Sequence, residues 1–296
     1  MLDLAPVSSE SFQNFYREQW GERWAGLDQS LRQGETQVAR RNHFADVSVE
    51  GLRPFGPEFA HCFEPTDSLR RELPRGSEGL LGFYLMDPAS VWIARALNVQ
   101  PDDVVLDLCA APGGKSLCLI EALASGSGEI LANEPSPGRR ERLMKVIQQY
   151  VPRDVRERVR VTGKEGGLFS KSHPETFDRI LVDAPCSGER HLLENQKEMT
   201  VWSPSRSKRL AQEQYALLSG ALEALKPGGT IVYSTCALSH LENDAVLGKF
   251  LKKKGDRADV TELPLPDGAE RTRYGVQFLP DRLGYGPLFA AQIVKR

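Results

Sequence analysis

Two cysteines in this 296-residue chain follow short apolar segments and have polar neighbours. Cys186 lies in DAPCSG (183–188), and Cys236 ends TIVYSTC (230–236). A thiolate can bond covalently to an electron-poor carbon, provided that its surroundings lower the pKa of the thiol. Cysteine is more often a small buried hydrophobic residue, and Cys62 and Cys118 fit that description. The positions of Cys186 and Cys236 instead make them candidate nucleophiles.

A glycine-rich turn joins a short apolar segment to a helical one in VVLDLCAAPGGKS (104–116). Glycines let a backbone approach a ligand closely, and the N-terminus of the following helix attracts negative charge. The turn therefore predicts a site for a nucleotide-like ligand. A nucleotide hydrolase, a dinucleotide enzyme and an enzyme that uses S-adenosylmethionine all build such turns, with different surroundings.

The residues around the turn favour the third class. The phosphate loop GxxxxGK[ST] is matched only at its end by Gly114, Lys115 and Ser116, because position 109 is a cysteine. The dinucleotide motif GxGxxG does not occur. A methyl-donor site needs an acid that accepts the ribose hydroxyls, and Glu134 ends ILANE at the expected place. A nucleotide hydrolase stays open as the alternative.

Apolar segments alternate with helical ones from residue 104 onward, which predicts an α/β fold with a mostly parallel sheet. We predict strands at 104–108, 129–134, 158–163, 178–185 and 230–236, and helices at 116–123, 136–150, 203–229 and 240–254. Ligands bind beyond the carboxyl ends of such strands. This rule brings together the loop 109–115, Glu134, the segment 183–186 and Cys236.

The flanking segments predict smaller elements. Aromatic and leucine side chains recur at helical spacing over 8–33, which predicts one helix with a buried stripe. Residues 50–80 are rich in glycine, proline and charge and predict short strands and loops, whereas a helix opens at Pro88. Residues 258–296 are expected to add antiparallel strands.

The charge and the cysteine content of the chain limit the classes of function that it can have. The formal net charge is −2, so any surface for nucleic acid must be a local basic patch. Five cysteines without a CxxC pair predict a reducing compartment and no disulfide framework, and the histidines lack metal-ligand spacing. No apolar run reaches the ~18 residues of a membrane span, and the N-terminus lacks the pattern of a signal peptide.

Three motifs in this order, LDLCAAPGGKS, DAPCSG and KPGGTIVYSTCALSHLEN, resemble the RNA cytosine-5 methyltransferases of the Nol/Nop/Sun (Fmu) type, over about residues 80–296. The chain is similar to the compact members. The resemblance implies a Rossmann-like methyltransferase fold, S-adenosylmethionine as cofactor and RNA as substrate. It also implies methylation of carbon 5 of a cytosine through a covalent cysteine adduct, in rRNA or alternatively in tRNA.

The resemblance also implies roles for single residues. Cys236 would attack the base, Cys186 would assist product release, and Asp183 would steady the cytosine close to the donor. The implied donor contacts are Cys109, Ala110, Gly113, Gly114, Lys115, Glu134, Arg139, Glu165, Gly166 and Asp183. At 165–166 this chain has Glu-Gly where the family has Asp-Gly, which lengthens the acid by one methylene.

Two domains are expected, with an N-terminal RNA-contacting region at 1–80 and a catalytic methyltransferase domain at 81–296. Candidate phosphate contacts are the basic clusters at 40–41, 70–71, 139–140, 206–209 and 252–254. The expected compartment is the cytoplasm, with the mitochondrion as the alternative. Two further alternatives stay open: a noncatalytic RNA-binding factor on this fold, and a DNA-type enzyme in which Pro185-Cys186 carries the nucleophile.

Overall fold

The computed structural model describes residues 7–296 as thirteen α-helices, two short 3-10 turns and twelve strands. The helices are α1 (Val7–Trp20), α2 (Trp24–Arg32), α3 (Asp67–Arg71), α4 (Pro88–Ala96), α5 (Gly114–Leu123), α6 (Pro137–Tyr150), α7 (Arg153–Arg156), α8 (Phe169–Ser172), α9 (Glu189–Glu194), α10 (Gln196–Thr200), α11 (Pro204–Ala224), α12 (Asp244–Lys254) and α13 (Pro280–Leu283). The strands are β1 (Val38–Arg41), β2 (Cys62–Phe63), β3 (Phe83–Met86), β4 (Val104–Asp107), β5 (Glu129–Asn133), β6 (Val159–Thr162), β7 (Phe177–Asp183), β8 (Leu225–Thr235), β9 (Ala258–Thr261), β10 (Glu270–Arg271), β11 (Val276–Phe278) and β12 (Leu288–Lys295).

A nine-stranded sheet forms the centre of the molecule, in the order β10-β11-β12-β8-β7-β4-β5-β6 with β9 beside β12. The pairs from β8 to β6 are parallel, and β12 runs antiparallel to β8 and β9. This confirms the predicted α/β fold and the antiparallel strands of the tail. Because the parallel strands share one direction, their carboxyl ends meet at one edge.

Successive residues of the central strands point to opposite faces of the sheet, as strand geometry requires. Val105 packs with Leu117 of α5 and Leu143 of α6 in one buried cluster. Leu106 packs with Leu218 of α11 and Phe250 of α12 in another. The fold is therefore a three-layer arrangement, since helices cover both faces of a mostly parallel sheet.

The N-terminal segment packs directly on the α/β layers. Phe12 and Tyr16 of α1 lie in one buried cluster with Trp24, Trp202 and Leu238. The single helix predicted over 8–33 is wrong in one respect: a 3-10 turn at Gly21–Arg23 separates α1 from α2, where Gly21 has φ +57°. That left-handed backbone suits glycine and interrupts a helix.

Two other helix limits differ from the prediction. Helix α11 ends at Ala224 and not at 229, because Leu225 is already extended and pairs with Phe177. Pro227 follows two residues later and also disfavours a helix. Helix α12 begins at Asp244 and not at 240, since Glu242 and Asn243 bond to the segments around the cysteines. Helix α3 lies in a stretch where only strands and loops are predicted, and Thr66 caps it.

Strand β1 belongs to a small sheet in the order β2-β1-β3, so β3 pairs with it from beyond the proposed boundary at residue 80. The domain division stays a prediction. None of the helices between residues 7 and 296 is both long and apolar enough to cross a membrane.

A buried ion pair ties this small sheet to α5. Arg40 of β1 donates to Glu121 of α5 at 2.6 Å, and both side chains are buried. Arg40 is therefore unavailable as a phosphate contact, which corrects one of the candidate basic clusters. The Arg40 side chain points into the core, where the ion pair with Glu121 balances its charge.

Glu121→Gln is expected to lower the free energy of unfolding by about 3–5 kcal/mol, because it leaves the Arg40 guanidinium buried without an opposite charge. Urea denaturation followed by circular dichroism measures the change. The control is Glu141→Gln, which breaks the exposed pair with Lys145 on α6 and should have little effect. Equal losses in the two variants would contradict a special role for the buried pair.

Candidate active site

The carboxyl ends of β4, β7 and β8 open into a cavity of about 540 Å³. Side chains from all three lie on its wall: Cys109, Asp183, Cys186 and Cys236. A second cavity of about 250 Å³ adjoins it and shares Cys109 and Asp183 with it. Of the predicted convergence, the loop after β4, the segment 183–186 and Cys236 meet at one place, whereas Glu134 lines neither cavity.

The glycine-rich turn forms the floor of the smaller cavity, where Ala110, Gly113, Gly114 and Lys115 all lie. Gly113 has φ +121°, and a Cβ there would lie 2.9 Å from a methyl of Val146. A Cβ on Gly114 would lie 2.7 Å from the ring of Tyr84. Only glycine fits these two positions, so the backbone itself faces the cavity.

Asp107 ends β4 beneath this turn. One carboxylate oxygen accepts from the Ser116 hydroxyl at 2.6 Å, and the other is buried without a partner. Burial raises the pKa of Asp107 to about 7. The free oxygen is an acceptor that a ligand in the smaller cavity could satisfy, since Asp107 lies on its wall.

Glu134 lies just beyond the end of β5 and is buried. One oxygen accepts from the Ser136 amide at 2.9 Å, and the other has no hydrogen-bond partner, although a guanidinium nitrogen of Arg139 lies 3.2 Å away. Arg139 also donates to the carbonyl of Ala111 at 2.8 Å. Arg139 lines the larger cavity, whereas Glu134 lies behind it.

Besides Glu134, two further predicted residues do not line either cavity. Glu165 is exposed, and Gly166 is buried at the start of the 3-10 turn Gly166–Leu168. A Cβ on Gly166 would lie 2.3 Å from a methyl of Leu217, so the packing of α11 requires glycine there. The structure therefore explains Gly166 by packing and leaves Glu165 without a contact to the cavity.

Asp183 is held from both sides. One carboxylate oxygen accepts from the Lys115 ammonium at 2.8 Å, and the other from the Ser234 hydroxyl at 2.6 Å. Burial lowers the pKa of Lys115, but the charge and hydrogen bond of Asp183 outweigh it, so the pKa is raised overall. Lys115 is therefore a fixed positive charge beside a fixed carboxylate. Ser234 lies within a quoted motif, which assigned it no role, and it stands directly opposite Asp183 in the strand register.

Cys186 and Cys236 face each other across the ends of β7 and β8. Their Cα atoms are 6.2 Å apart and their sulfur atoms are bonded as a disulfide, within the span that such bonds bridge. The Cys236 amide also donates to the Cys186 sulfur at 3.2 Å. The sequence predicts free thiols here, and the structure corrects this, because adjacent strand ends bring the two together. Cys62, Cys109 and Cys118 are free, as predicted.

Two further acids on the wall escape motif analysis. Asp87 caps α4 through the Ala89 amide and accepts from the Gly286 amide, each at 2.7 Å. Glu35 follows α2 and lines both cavities beside Asp87. Burial and the charge of Asp87 raise the pKa of Glu35 to about 7. Neither acid belongs to a motif, because each comes from a connection outside the parallel core.

Within residues 7–296, no group of three or more histidine, cysteine and acidic side chains is arranged to hold a metal ion. Two neighbouring cysteines, a paired carboxylate and a glycine-lined floor meet at this place.

A mostly parallel sheet with this loop after its first central strand has the fold of S-adenosylmethionine-dependent methyltransferases. A methyltransferase homologue from Pyrococcus horikoshii superposes with a TM-score of 0.77 over 96% of this chain and 94% of that chain, at 24% identity. NSun6 from the same organism, solved with SFG, gives a TM-score of 0.77 over 97% of this chain and 98% of that chain, at 21% identity.

The chain belongs to the RsmB/F family of 16S rRNA methyltransferases, whose family model matches residues 94–294. The Nol/Nop/Sun resemblance is confirmed. The 5-cytosine rRNA methyltransferase NSUN4 of Mus musculus is 37% identical over 279 residues, which are 81% of this chain and 72% of the relative. NSUN4 of Bos taurus is 48% identical over 177 residues, or 58% of this chain and 45% of the relative.

A bacterial relative, the ribosomal RNA small subunit methyltransferase F of Aeromonas salmonicida, is 39% identical over 185 residues. These residues are 61% of this chain and 38% of the relative. The chain thus spans less than half the length of the bovine and bacterial relatives that it matches.

Proposed function

We propose that this protein methylates carbon 5 of a cytosine in RNA, with S-adenosylmethionine as the methyl donor. The observation that carries the proposal is the meeting of Cys186, Cys236 and Asp183 in one cavity beside a glycine-lined floor. Relatives named as rRNA methyltransferases favour rRNA as the substrate. A mitochondrial tRNA (cytosine(34)-C(5))-methyltransferase of Mus musculus, 34% identical over 205 residues, keeps tRNA as the alternative.

The residues present fit this donor. Gly113 and Gly114 place backbone without a side chain on the wall of the smaller cavity, and Glu134, buried behind the larger cavity, has one oxygen without a hydrogen-bond partner that would accept the ribose hydroxyls. Asp107 offers its unpartnered oxygen to the amino-acid end, and the Asp183 carboxylate would lie beside the sulfonium, a charge that S-adenosylhomocysteine lacks. Cys109, Ala110, Lys115 and Arg139 would complete the wall. Glu165 and Gly166 line neither cavity and would act at the adenine only where its edge extends beyond them. When bound, the donor supplies an electrophilic methyl group.

Cytosine needs activation before carbon 5 can accept that methyl group. We assign the activation to Cys236, whose thiolate adds to carbon 6 and makes carbon 5 electron-rich. Asp183 steadies the ring nitrogens, with Lys115 and Ser234 fixing its two oxygens. Once carbon 5 carries the methyl group, Cys186 assists release: its thiolate accepts the carbon-5 proton, and the sulfur–carbon bond breaks with Cys236 leaving as a thiolate. Both thiols must be reduced for the reaction, because a disulfide sulfur is no nucleophile.

The direct test is incubation of the reduced protein with labelled S-adenosylmethionine and total RNA, followed by mapping of the modified base. We expect 5-methylcytosine. Calorimetry with S-adenosylhomocysteine and with magnesium-ATP separates the alternatives, since a hydrolase would bind only the second. Donor binding without methyl transfer to any RNA would favour the noncatalytic factor.

Glu134→Ala is expected to weaken S-adenosylhomocysteine binding by about 1–3 kcal/mol, because it removes an acceptor for the ribose hydroxyls. Isothermal titration calorimetry measures the affinity. Glu141→Ala, an exposed acid on the neighbouring helix α6, is the control and should bind as the unmodified protein does. Unchanged affinity of Glu134→Ala would remove this residue from the proposed site.

We propose that phosphates contact the exposed arginines of the N-terminal region. Arg70, Arg71 and Arg75 line a groove that also includes Leu85, and Leu85 lies on the wall of the smaller cavity as well. Of the other basic clusters, Arg206 pairs with Glu198 and Lys254 with Glu223. We retain the cytoplasm as the proposed compartment and the mitochondrion as the alternative that the mitochondrial relative raises.

A further inference from the structure

Two glutamates, Glu189 and Glu242, lie completely buried behind the cysteines, each with 0% of its surface exposed. A buried carboxylate is costly unless hydrogen bonds replace its lost water. The proposed chemistry uses neither side chain, so their partners show what they do.

Glu242 holds the segment that carries Cys186. One of its oxygens accepts from the Ser187 amide at 2.9 Å and from the Gln214 side chain at 3.0 Å. The same Gln214 nitrogen donates to the carbonyl of Pro185 at 2.8 Å. The backbone on both sides of Cys186 is thereby tied to Glu242, which itself follows Cys236 in the chain.

Glu189 makes the reverse connection. It follows Cys186 in the chain, and one of its oxygens accepts from the Leu238 amide at 3.0 Å, two residues beyond Cys236. The other oxygen accepts from the Ser187 hydroxyl at 2.5 Å and from the hydroxyl of Tyr16. Each cysteine segment therefore contributes a carboxylate that holds the other segment.

Tyr16 brings the N-terminal helix α1 into this network. It is fully buried, and its ring stacks on Trp24 with the ring centres 4.9 Å apart. The hydroxyl reaches Glu189 from outside the parallel core, over 173 residues of sequence. The helix that the sequence suggests as an RNA contact thus also touches the support of the cysteines.

We propose that Glu189, Glu242 and Tyr16 are positioning residues, which hold Cys186 and Cys236 at the spacing needed to act in turn on one base. The inference rests on the proposed function. Through Tyr16 and Glu189, helix α1 affects the chemical step without touching the substrate. Burial and the charge of Glu189 raise the pKa of Glu242 to about 7, so a neutral glutamine is a close substitute for this side chain.

Four variants test the network. Tyr16→Phe removes one hydroxyl, Glu242→Leu removes the acceptor, and Glu242→Gln keeps it. Tyr150→Phe is the matched control, because Tyr150 is a buried tyrosine whose hydroxyl bonds to the Phe83 carbonyl at 2.8 Å, away from the cysteines. We measure kcat and KM for methyl transfer to total RNA, S-adenosylhomocysteine affinity and melting temperature. We also follow the reduced thiols with a bifunctional bimane, which fluoresces when it links neighbouring thiols.

Tyr16→Phe and Glu242→Leu should each lower kcat at least about tenfold and slow the thiol linkage, because small displacements of reacting groups are costly. Donor affinity and KM should stay within about twofold. Glu242→Gln should recover most of the rate, and Tyr150→Phe should keep kcat whatever its melting temperature.

The inference is overturned if Tyr16→Phe and Tyr150→Phe lose activity alike, or if Glu242→Gln is as slow as Glu242→Leu. Should Glu242→Leu fail to fold, the rates of Tyr16→Phe and Glu242→Gln, each compared with the unmodified protein, decide whether the inference holds. If the unmodified protein transfers no methyl group, the proposed function fails by itself. The thiol linkage in the variants then still tests the network, because unchanged linkage rates would overturn it.

Discussion

Cys186→Ala is expected to accumulate an RNA–protein complex that survives denaturing electrophoresis, whereas Cys236→Ala should form none. Addition of a thiolate to carbon 6 must precede methyl transfer, so a protein without Cys236 never makes the covalent bond. A protein without Cys186 makes it and then stalls at release. Both variants should lose turnover almost completely. The measurement is a denaturing gel of each reduced variant after incubation with RNA and S-adenosylmethionine.

The control for this experiment is Cys62→Ala, which removes a buried thiol outside both cavities. Burial raises the pKa of Cys62 to about 11, so this thiol stays protonated at neutral pH. The variant should turn over as the unmodified protein does and leave no complex. The reverse pattern, with a complex from Cys236→Ala alone, would assign the attack to Cys186, as in the DNA-type alternative.

The sequence predicts the parallel core well because its signals are local. Each central strand is a short apolar run next to a helix with its own period, and one topological rule then places the strand ends together. The meeting of Cys109, Asp183, Cys186 and Cys236 follows from that rule alone. Gly113 can also be predicted from local sequence, because the backbone conformation of a single turn requires glycine there, whereas Gly114 is required by the distant ring of Tyr84.

Contacts between segments that are distant in sequence could not be predicted. Arg40 looks like a surface cation, since nothing near it in sequence shows that Glu121 meets it in the core. Tyr16 belongs to an aromatic stripe, and the stripe predicts only that its ring is buried. Nothing in the sequence indicates that its hydroxyl donates to Glu189. The end of α11 is missed because helical composition continues through Leu225, while pairing with Phe177 stops the helix.

Asp183→Asn is expected to lower the rate of methyl transfer by about 10²–10³-fold, the usual loss when one preorganised polar group is removed from a reacting centre. Addition of the thiolate moves electrons toward the ring nitrogens of cytosine, and the negative charge of Asp183 holds the Lys115 ammonium, a proton donor, beside them. Asparagine keeps the shape but removes that charge. Its amide would also direct hydrogens at either Lys115 or Ser234, both of which donate to Asp183.

Single-turnover methyl transfer at saturating donor isolates this effect from binding, and calorimetry with S-adenosylhomocysteine should show affinity within a few-fold of the unmodified protein. Asp178→Asn is the matched control, because Asp178 lies on the same strand and pairs with Lys226 at 2.8 Å, at the end away from the cavity. That variant should transfer methyl groups at the normal rate. If donor affinity instead falls as far as the rate, Asp183 serves the donor and not the cytosine. If Asp183→Asn is as active as Asp178→Asn, Lys115 is the better candidate for the group that steadies the base.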